Sequence, residues 1–284
     1  MTAFQIRIAF CETLAICRAG WYEANGKRVE LPSNKDVLAA SKFYQRARSA
    51  SSAPVFDDER IDVVKGDCIE VARRLAIEGR NPMLLNMASD RCPGGGVLDG
   101  ASAQEEELFR RSNLCVSLFQ YDARFAPTLG VPLGVGRYPM SSDTCGIYSG
   151  RVMFFRAGSN ASYRLLEKPF ECAVASVAAV RYPVWSISEG RLNCKDELST
   201  VKKIRTILRI ALLNGHDTLV LSAFGCGAFH NPPAHMAEIF HRVLLEDEFK
   251  NRFRLVRFAI IAGSKGEDTP NYNAFVREFG ATGK

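Results

Sequence analysis

The 284-residue sequence has no uninterrupted run of about 18 apolar residues, so a transmembrane helix is excluded. Its N-terminus lacks the basic stretch, apolar core and small-residue cleavage site of a signal peptide, because charge interrupts Ala3 to Gly20. Nine scattered cysteines, an odd number, include no C-x-x-C pair, which argues against a disulfide framework and a zinc ribbon. Reduced, mostly buried thiols in a cytosol-like compartment are expected, hence a cytoplasmic protein. Histidine is scarce, and His230, His235 and His241 fall outside H-E-x-x-H spacing, so no metal site is expected. The net charge of +6 comes without a Lys/Arg block or an aromatic-interleaved basic stripe. Direct nucleic-acid binding is therefore not expected, and the charge reads as attraction for some other anion.

What is present points to a folded α/β protein. At 47% hydrophobic and 24% charged residues, the chain has enough apolar surface for a sizeable core, which rules out wholesale disorder. Residues 1–55 carry eight Lys or Arg against four acids, +4 of the +6. They read as a helix over Ile6–Arg18, a hairpin of Trp21–Glu23 and Arg28–Leu31 turning at Asn25-Gly26, and a helix from Asn34 to Arg48. Ser49 to Pro54 reads as a linker. Strands then alternate with helices: Ile61–Val64, a helix to Glu78, Met83–Met87, a glycine-rich turn, and a helix over Ala103–Gln120. Further strands are expected near Val152–Phe155, Ala173–Ala179, Thr218–Phe224 and Leu255–Ile261. Helices are expected over Asp196–Asn214, Ala234–Leu245 and Tyr272–Phe279. Nearly all-apolar strands such as Leu219-Val-Leu221 imply a sheet covered on both faces. The segment Pro127–Ser149, rich in Gly and Pro, is either a loop near the site or a surface insertion.

Two strand-to-helix turns carry the chemistry. In Asn86 to Glu107 a strand runs into Gly94-Gly95-Gly96 and then a helix, which lets backbone N–H groups approach an anion at a helix N-terminus. No Gly-Lys-Ser/Thr follows, and the glycines are contiguous, so this is neither a Walker A loop nor the dinucleotide fingerprint. Ser102 and Glu105 have capping-box spacing, so Glu105 is either a helix cap or a site residue. Three adjacent carboxylates repel one another, and such crowding raises a carboxyl toward the range a general acid needs, making Glu106 the candidate acid. The second turn, Ser222 to Pro233, follows an apolar strand and contains Gly225 and Gly227. Two such turns suit a diphosphate clamp at the carboxyl ends of the strands. Gly66-Asp67 offers a third edge, with Asp67 otherwise a helix cap. Cys92 and Cys226 lack a neighbouring histidine, which disfavours thiol catalysis.

With Gly94-Gly95-Gly96, seven intervening residues and Gln104-Glu105-Glu106 in view, the chain resembles the poly(ADP-ribose) glycohydrolases, most closely the microbial type. Val64-Lys-Gly-Asp-Cys-Ile69, Leu84-Leu-Asn-Met-Ala88 and Ser222-Ala-Phe-Gly-Cys-Gly-Ala-Phe229 agree in order and character with the macrodomain fold. The resemblance implies a macrodomain-like three-layer α/β/α fold with a mixed central sheet over residues 56–284. Residues 1–55 would be an N-terminal accessory extension packing on that core. It further implies that Asp67 contacts the adenine amino group with Ile69 beside it, and that Asn86 bonds the distal ribose. Gly94, Gly95, Gly96 and Val97, with Gly225, Cys226, Gly227 and Ala228, would hold the diphosphate and ribose, and Phe229 would pack on that ribose. Gln104 and Glu105 would position the substrate, Glu106 would be the acid, and Glu107 would sit on the solvated helix face. No cofactor is implied. Poly(ADP-ribose) or ADP-ribosylated protein would be the substrate, ADP-ribose the product, and the chain a monomer. A non-catalytic ADP-ribose-binding macrodomain, or a hydrolase of mono-ADP-ribosylated protein or nucleic acid, are the alternatives; the intact Gln104-Glu105-Glu106 speaks against a pure binder. The basic N-terminal layer would then be a track for the polyanionic remainder of the substrate.

Overall fold

Apolar side chains alternating at period two set the central sheet, since successive strand residues face opposite sides. The computed structural model describes residues 2–50, 54–140, 142–263 and 266–280. Helix α1 (Ala3–Ala19) starts at a Thr2–Gln5 capping box and ends at Gly20, and the hairpin β1 (Trp21–Ala24) and β2 (Lys27–Glu30) turns at Asn25-Gly26, both at positive φ. Then come α2 (Asn34–Ala39), β3 (Ser41–Tyr44), β4 (Arg60–Lys65), α3 (Cys68–Ile77) and β5 (Pro82–Met87). The helices α4 (Gln104–Arg111), α5 (Leu114–Phe119) and α6 (Ala126–Leu129) precede the long strands β6 (Gly146–Arg156) and β7 (Leu165–Val177). A small ribbon, β8 (Trp185–Ser186) with β9 (Arg191–Leu192), leads to α7 (Cys194–Leu213), β10 (Thr218–Leu221), α8 (Pro233–Leu244), β11 (Leu255–Ile260) and α9 (Pro270–Phe279).

Seven strands make one mixed sheet in the order β3-β6-β7-β5-β10-β11-β4. The five from β7 to β4 are parallel, so their carboxyl ends share one edge. On one face Leu84, Val174 and Val220 pack with residues of α1, α3, α4 and α5. On the other Met83, Leu85, Leu219 and Leu221 pack with residues of α7, α8 and α9. This is the expected three-layer α/β/α macrodomain-like arrangement. By the same alternation Asn86 faces the α4 side.

Two helices differ from the sequence reading. The one expected over 34–48 stops at Ala39, and β3 instead pairs antiparallel with β6, Ser41 opposite Ser149 and Tyr44 opposite Gly146. An open strand edge supplies partners that outweigh the weak helical pattern of Ser-Lys-Phe-Tyr. The helix expected over 103–120 breaks at Ser112-Asn113. Ser112 Oγ donates back to Leu108 O and accepts from Leu114 N, while Asn113 exchanges backbone and side-chain bonds with Met153. Of the linker read at Ser49–Pro54, residues 51–53 lie outside the described residues. Among its described residues the 127–149 segment supplies no wall of the site; Tyr138 and Met140 are buried behind it, and Met140 N donates to Asp90 O.

Candidate active site

The site begins where β5 and β10 part. Their register ends at Leu84 opposite Val220, leaving Leu85 O and Met87 N without a strand partner on that side. Gln104, the first residue of α4, takes that place: Nε2 donates to Leu85 O (2.6 Å) and Oε1 accepts from Met87 N (2.9 Å). A side-chain amide thus substitutes for a ladder bond and fixes the start of α4 in the crevice. Above it lies a cavity of about 560 Å³, walled by residues following β4, β5, β10 and β11. That size suits a small-molecule ligand, for which pockets span about 300–1,000 Å³.

The glycine loop curls over the two glutamates. Glu105 is buried; its Oε2 accepts from Ser89 N (2.7 Å), and its Oε1 from Gly94 N (3.1 Å) and Asn86 Nδ2 (3.4 Å). Burial pushes its carboxyl up to about 8, against the pull of the Ser89 N–H, with the neighbouring Glu106 charge pushing the same way as burial. Glu106 Oε1 accepts from Gly96 N (2.9 Å), whereas its buried Oε2 has no hydrogen-bond partner among the described residues. Gly95 sits at φ +53°, and a Cβ there would lie 2.5 Å from Glu106 Oε1. Only glycine permits that approach without displacement.

At the other end Asp67 caps α3, its Oδ1 accepting from Ile69 N (2.7 Å) and its Oδ2 from Arg111. Arg111, buried at the end of α4, also reaches Glu70 Oε1 (2.7 Å) and Arg156 O. Ile261 and Asn271 complete this end. The second glycine turn forms the opposite wall, with Gly225 at φ +74° and Asn231 Nδ2 bonding Val180 O and Gly225 O. Phe229 closes that wall under the guanidinium of Arg181, 4.1 Å from its ring centre.

Asp67, Ile69, Gly95, Gly96, Gln104, Glu105, Glu106, Gly225, Gly227, Ala228 and Phe229 all line this one cavity. Asn86, Gly94, Val97 and Cys226 stand one layer behind it: Asn86 and Gly94 hold Glu105, and Val97 packs in the core. The capping box at Ser102–Glu105 does not form; Ala103 occupies the cap position, and the Glu105 carboxylate is spent on the glycine loop and Ser89. Glu107 is not on a solvated face: it is half-buried between Arg110 and the Tyr163 hydroxyl. Burial raises the Cys226 and Cys92 thiols, the opposite of a poised nucleophile. His235 is buried away from the cavity, its Nδ1 accepting from Leu192 N. Ser89, Arg91, Arg111, Arg181 and Asn271 were missed from sequence. For Ser89, Arg91 and Arg181 a signal existed, since each lies just past the carboxyl end of a strand.

Comparison with known proteins meets this geometry. The family model for the microbial-type PARG (poly(ADP-ribose) glycohydrolase) catalytic domain matches residues 11–157, a span holding the glycine loop and Gln104-Glu105-Glu106. The chain belongs to this family. Its fold is similar to poly(ADP-ribose) glycohydrolase from Thermomonospora curvata, at 32% identity and a TM-score of 0.79 over 96% of this chain and 99% of that one. A structure of the T. curvata enzyme bound to the inhibitor ADP-HPD matches at 31% identity and a TM-score of 0.75, with the same coverage. The Deinococcus radiodurans glycohydrolase in complex with ADP-ribose matches at 27% identity and a TM-score of 0.67, over 88% of this chain and 98% of that one. No curated protein sequence matches the chain. The microbial-type family model ends just past β6, so the second glycine turn at 225–229 enters through the structural matches.

Proposed function

We propose that the chain is a glycosidase that hydrolyses the ribose–ribose O-glycosidic bonds of poly(ADP-ribose) and releases ADP-ribose, with Glu106 as its acid and base. The observation that carries the residue assignment is Glu106 itself: one carboxyl oxygen pinned by Gly96 N–H, the other buried in the cavity wall and unpartnered among the described residues. Adenine lies at Asp67 and Ile69, the diphosphate along the backbone N–H groups of the glycine turns, and the distal ribose at the glutamates under Phe229.

The C1″–O bond then breaks through an oxocarbenium-like state. Glu106 Oε2 gives its proton to the departing 2′-oxygen of the next adenosine, so that a hydroxyl leaves rather than an alkoxide. Water adds to C1″, and its proton passes to Glu106, restoring the acid. Glu105, tied to Ser89, Gly94 and Asn86, holds the loop in place. The first 55 residues brace this helix: Thr13 Oγ1 on α1 donates to Arg110 O (2.6 Å), and β3 extends the sheet. In this reading the chain works as a monomer, without direct contact to nucleic acid. It works in a reducing, cytoplasm-like compartment, a setting supported by nine free cysteines.

The test is poly(ADP-ribose) incubated with wild type and Glu106→Gln, measuring free ADP-ribose and ADP-ribose affinity. Glu106→Gln is expected to lose about 10²–10⁴-fold in turnover, the usual contribution of a positioned acid, while binding ADP-ribose near wild-type strength. Equal turnover in the two proteins overturns the assignment of the acid. No release by wild type favours a macrodomain that only binds.

A further inference from the structure

The cations lining the cavity among the described residues are two, Arg91 and Arg181. Both belong to the glutamate end. Arg91 follows Ser89 and Asp90, and Ser89 N–H is bonded to Glu105. Arg181 follows β7 and is held there by Asp90, with Nε at 3.1 Å and Nη2 at 2.9 Å from Oδ1, while its plane covers Phe229. Its Nη1 group makes no hydrogen bond among the described residues. The Arg91 side chain is exposed and makes no ion pair among the described residues. Away from Glu105 and Glu106 the charged lining residues are Asp67, engaged by Arg111, and Glu107, engaged by Arg110.

This asymmetry does not suit the diphosphate of the ADP-ribose inside the cavity. That group lies between base and distal ribose, where the glycine turns offer backbone N–H donors and no arginine. In a polymer, however, the leaving 2′-oxygen belongs to an adenosine whose own 5′-diphosphate is carried on the same sugar. A second dianionic diphosphate therefore stands just beyond the bond that Glu106 breaks.

Resting on the glycohydrolase reading above, we infer that Arg91 and Arg181 form a subsite for the diphosphate of the leaving unit. The subsite makes the enzyme selective for ADP-ribose linked to ADP-ribose over ADP-ribose linked to an uncharged group. Arg91 supplies an unpaired charge at the mouth. Arg181 presents a planar fork, prepositioned by Asp90 and Phe229, suited to two phosphate oxygens.

The experiment compares two substrates: purified poly(ADP-ribose), and a 1″-O-aryl ADP-ribose whose leaving phenol carries no phosphate. Arg91→Glu should lower kcat/KM on the polymer about tenfold and flatten its salt dependence, with a clearly smaller loss on the aryl substrate. Arg181→Gln should show the same selective loss, and Arg181→Lys, which keeps the charge over Phe229, should recover part of it. Equal losses on both substrates, or no loss on the polymer, overturn the subsite. Failure of the glycohydrolase reading is distinct: wild type then releases no ADP-ribose from polymer, and the subsite falls with it.

Discussion

Replacing Glu105 by glutamine sets two effects of opposite sign against each other. Burial disfavours the carboxylate, whereas N–H groups of Ser89 and Gly94 favour it; burial prevails, lifting the group from 4.5 to about 8. The folded protein therefore holds this proton more tightly than the unfolded chain. The stability it contributes is fully present below pH 4.5 and is lost as pH rises through about 8. At about 1.4 kcal/mol per pH unit, that interval amounts to about 5 kcal/mol. Glutamine mimics the neutral acid and does not titrate. Urea unfolding of the two proteins from acid to mildly alkaline pH should give stabilities within about 1 kcal/mol of each other at the acid end. Moving to alkaline pH, Glu105→Gln should become the more stable protein by about 1.4 kcal/mol per pH unit, levelling off above pH 8. A variant less stable than wild type at alkaline pH would refute the reasoning, because the two N–H bonds would then outweigh burial and Glu105 would be an anion at neutrality.

Gly95→Ala tests the loop directly. Alanine at φ +53° costs about 1–2 kcal/mol in the left-handed region, and its Cβ collides with Glu106 Oε1. Thermal unfolding should register that cost, and turnover should fall far more than the stability loss alone explains; near-normal turnover would mean that the glycine is not fixing Glu106. Charge reversal of Arg46 and Arg48 tests the track suggested by the basic N-terminal layer. Strand β3 runs parallel to β7 through the antiparallel β6, so both exposed arginines emerge at the edge of the sheet that bears the cavity. Three strand spacings separate β3 from β5, about 14 Å. Turnover of long chains by the reversed variant should lose part of its salt sensitivity, and an unchanged salt dependence would reduce the N-terminal charge to solvated surface.

The parts of this protein legible from sequence are those fixed by local chemistry. Strands such as Leu219-Val-Leu221 show themselves by continuous apolarity, and the glycines at 94, 95 and 225 meet positive-φ backbone that favours glycine. The hidden parts depend on partners distant in the chain. Ser41–Tyr44 is a strand because Gly146–Ser149 offers it an edge. The break after Arg111 exists because Asn113 pairs with Met153. Ser102 and Glu105 have the spacing of a cap, yet Ser89 and Gly94 offer the carboxylate better donors, and local pattern yields to tertiary geometry. Arg181 shows in sequence only its place shortly after a strand; its meaning comes from Phe229 and Asp90, each more than forty residues away.

One short helix accounts for the way these parts act together. Its first residue, Gln104, is locked to β5, its next two are the glutamates, and its last, Arg111, grips Asp67 and Glu70 at the other end of the cavity. From Glu106 to Arg111 the axial rise is about 7.5 Å, at 1.5 Å per residue. In the proposed reading the base contact and the acid are thus set on a single rigid element, braced from behind by Thr13 on the Arg110 carbonyl. The helix ends at Arg111, where Ser112 turns out of it to bridge Phe154. The break that the helical pattern conceals thus leaves Arg111 at the helix end, where its guanidinium reaches Asp67, Glu70 and Arg156 O.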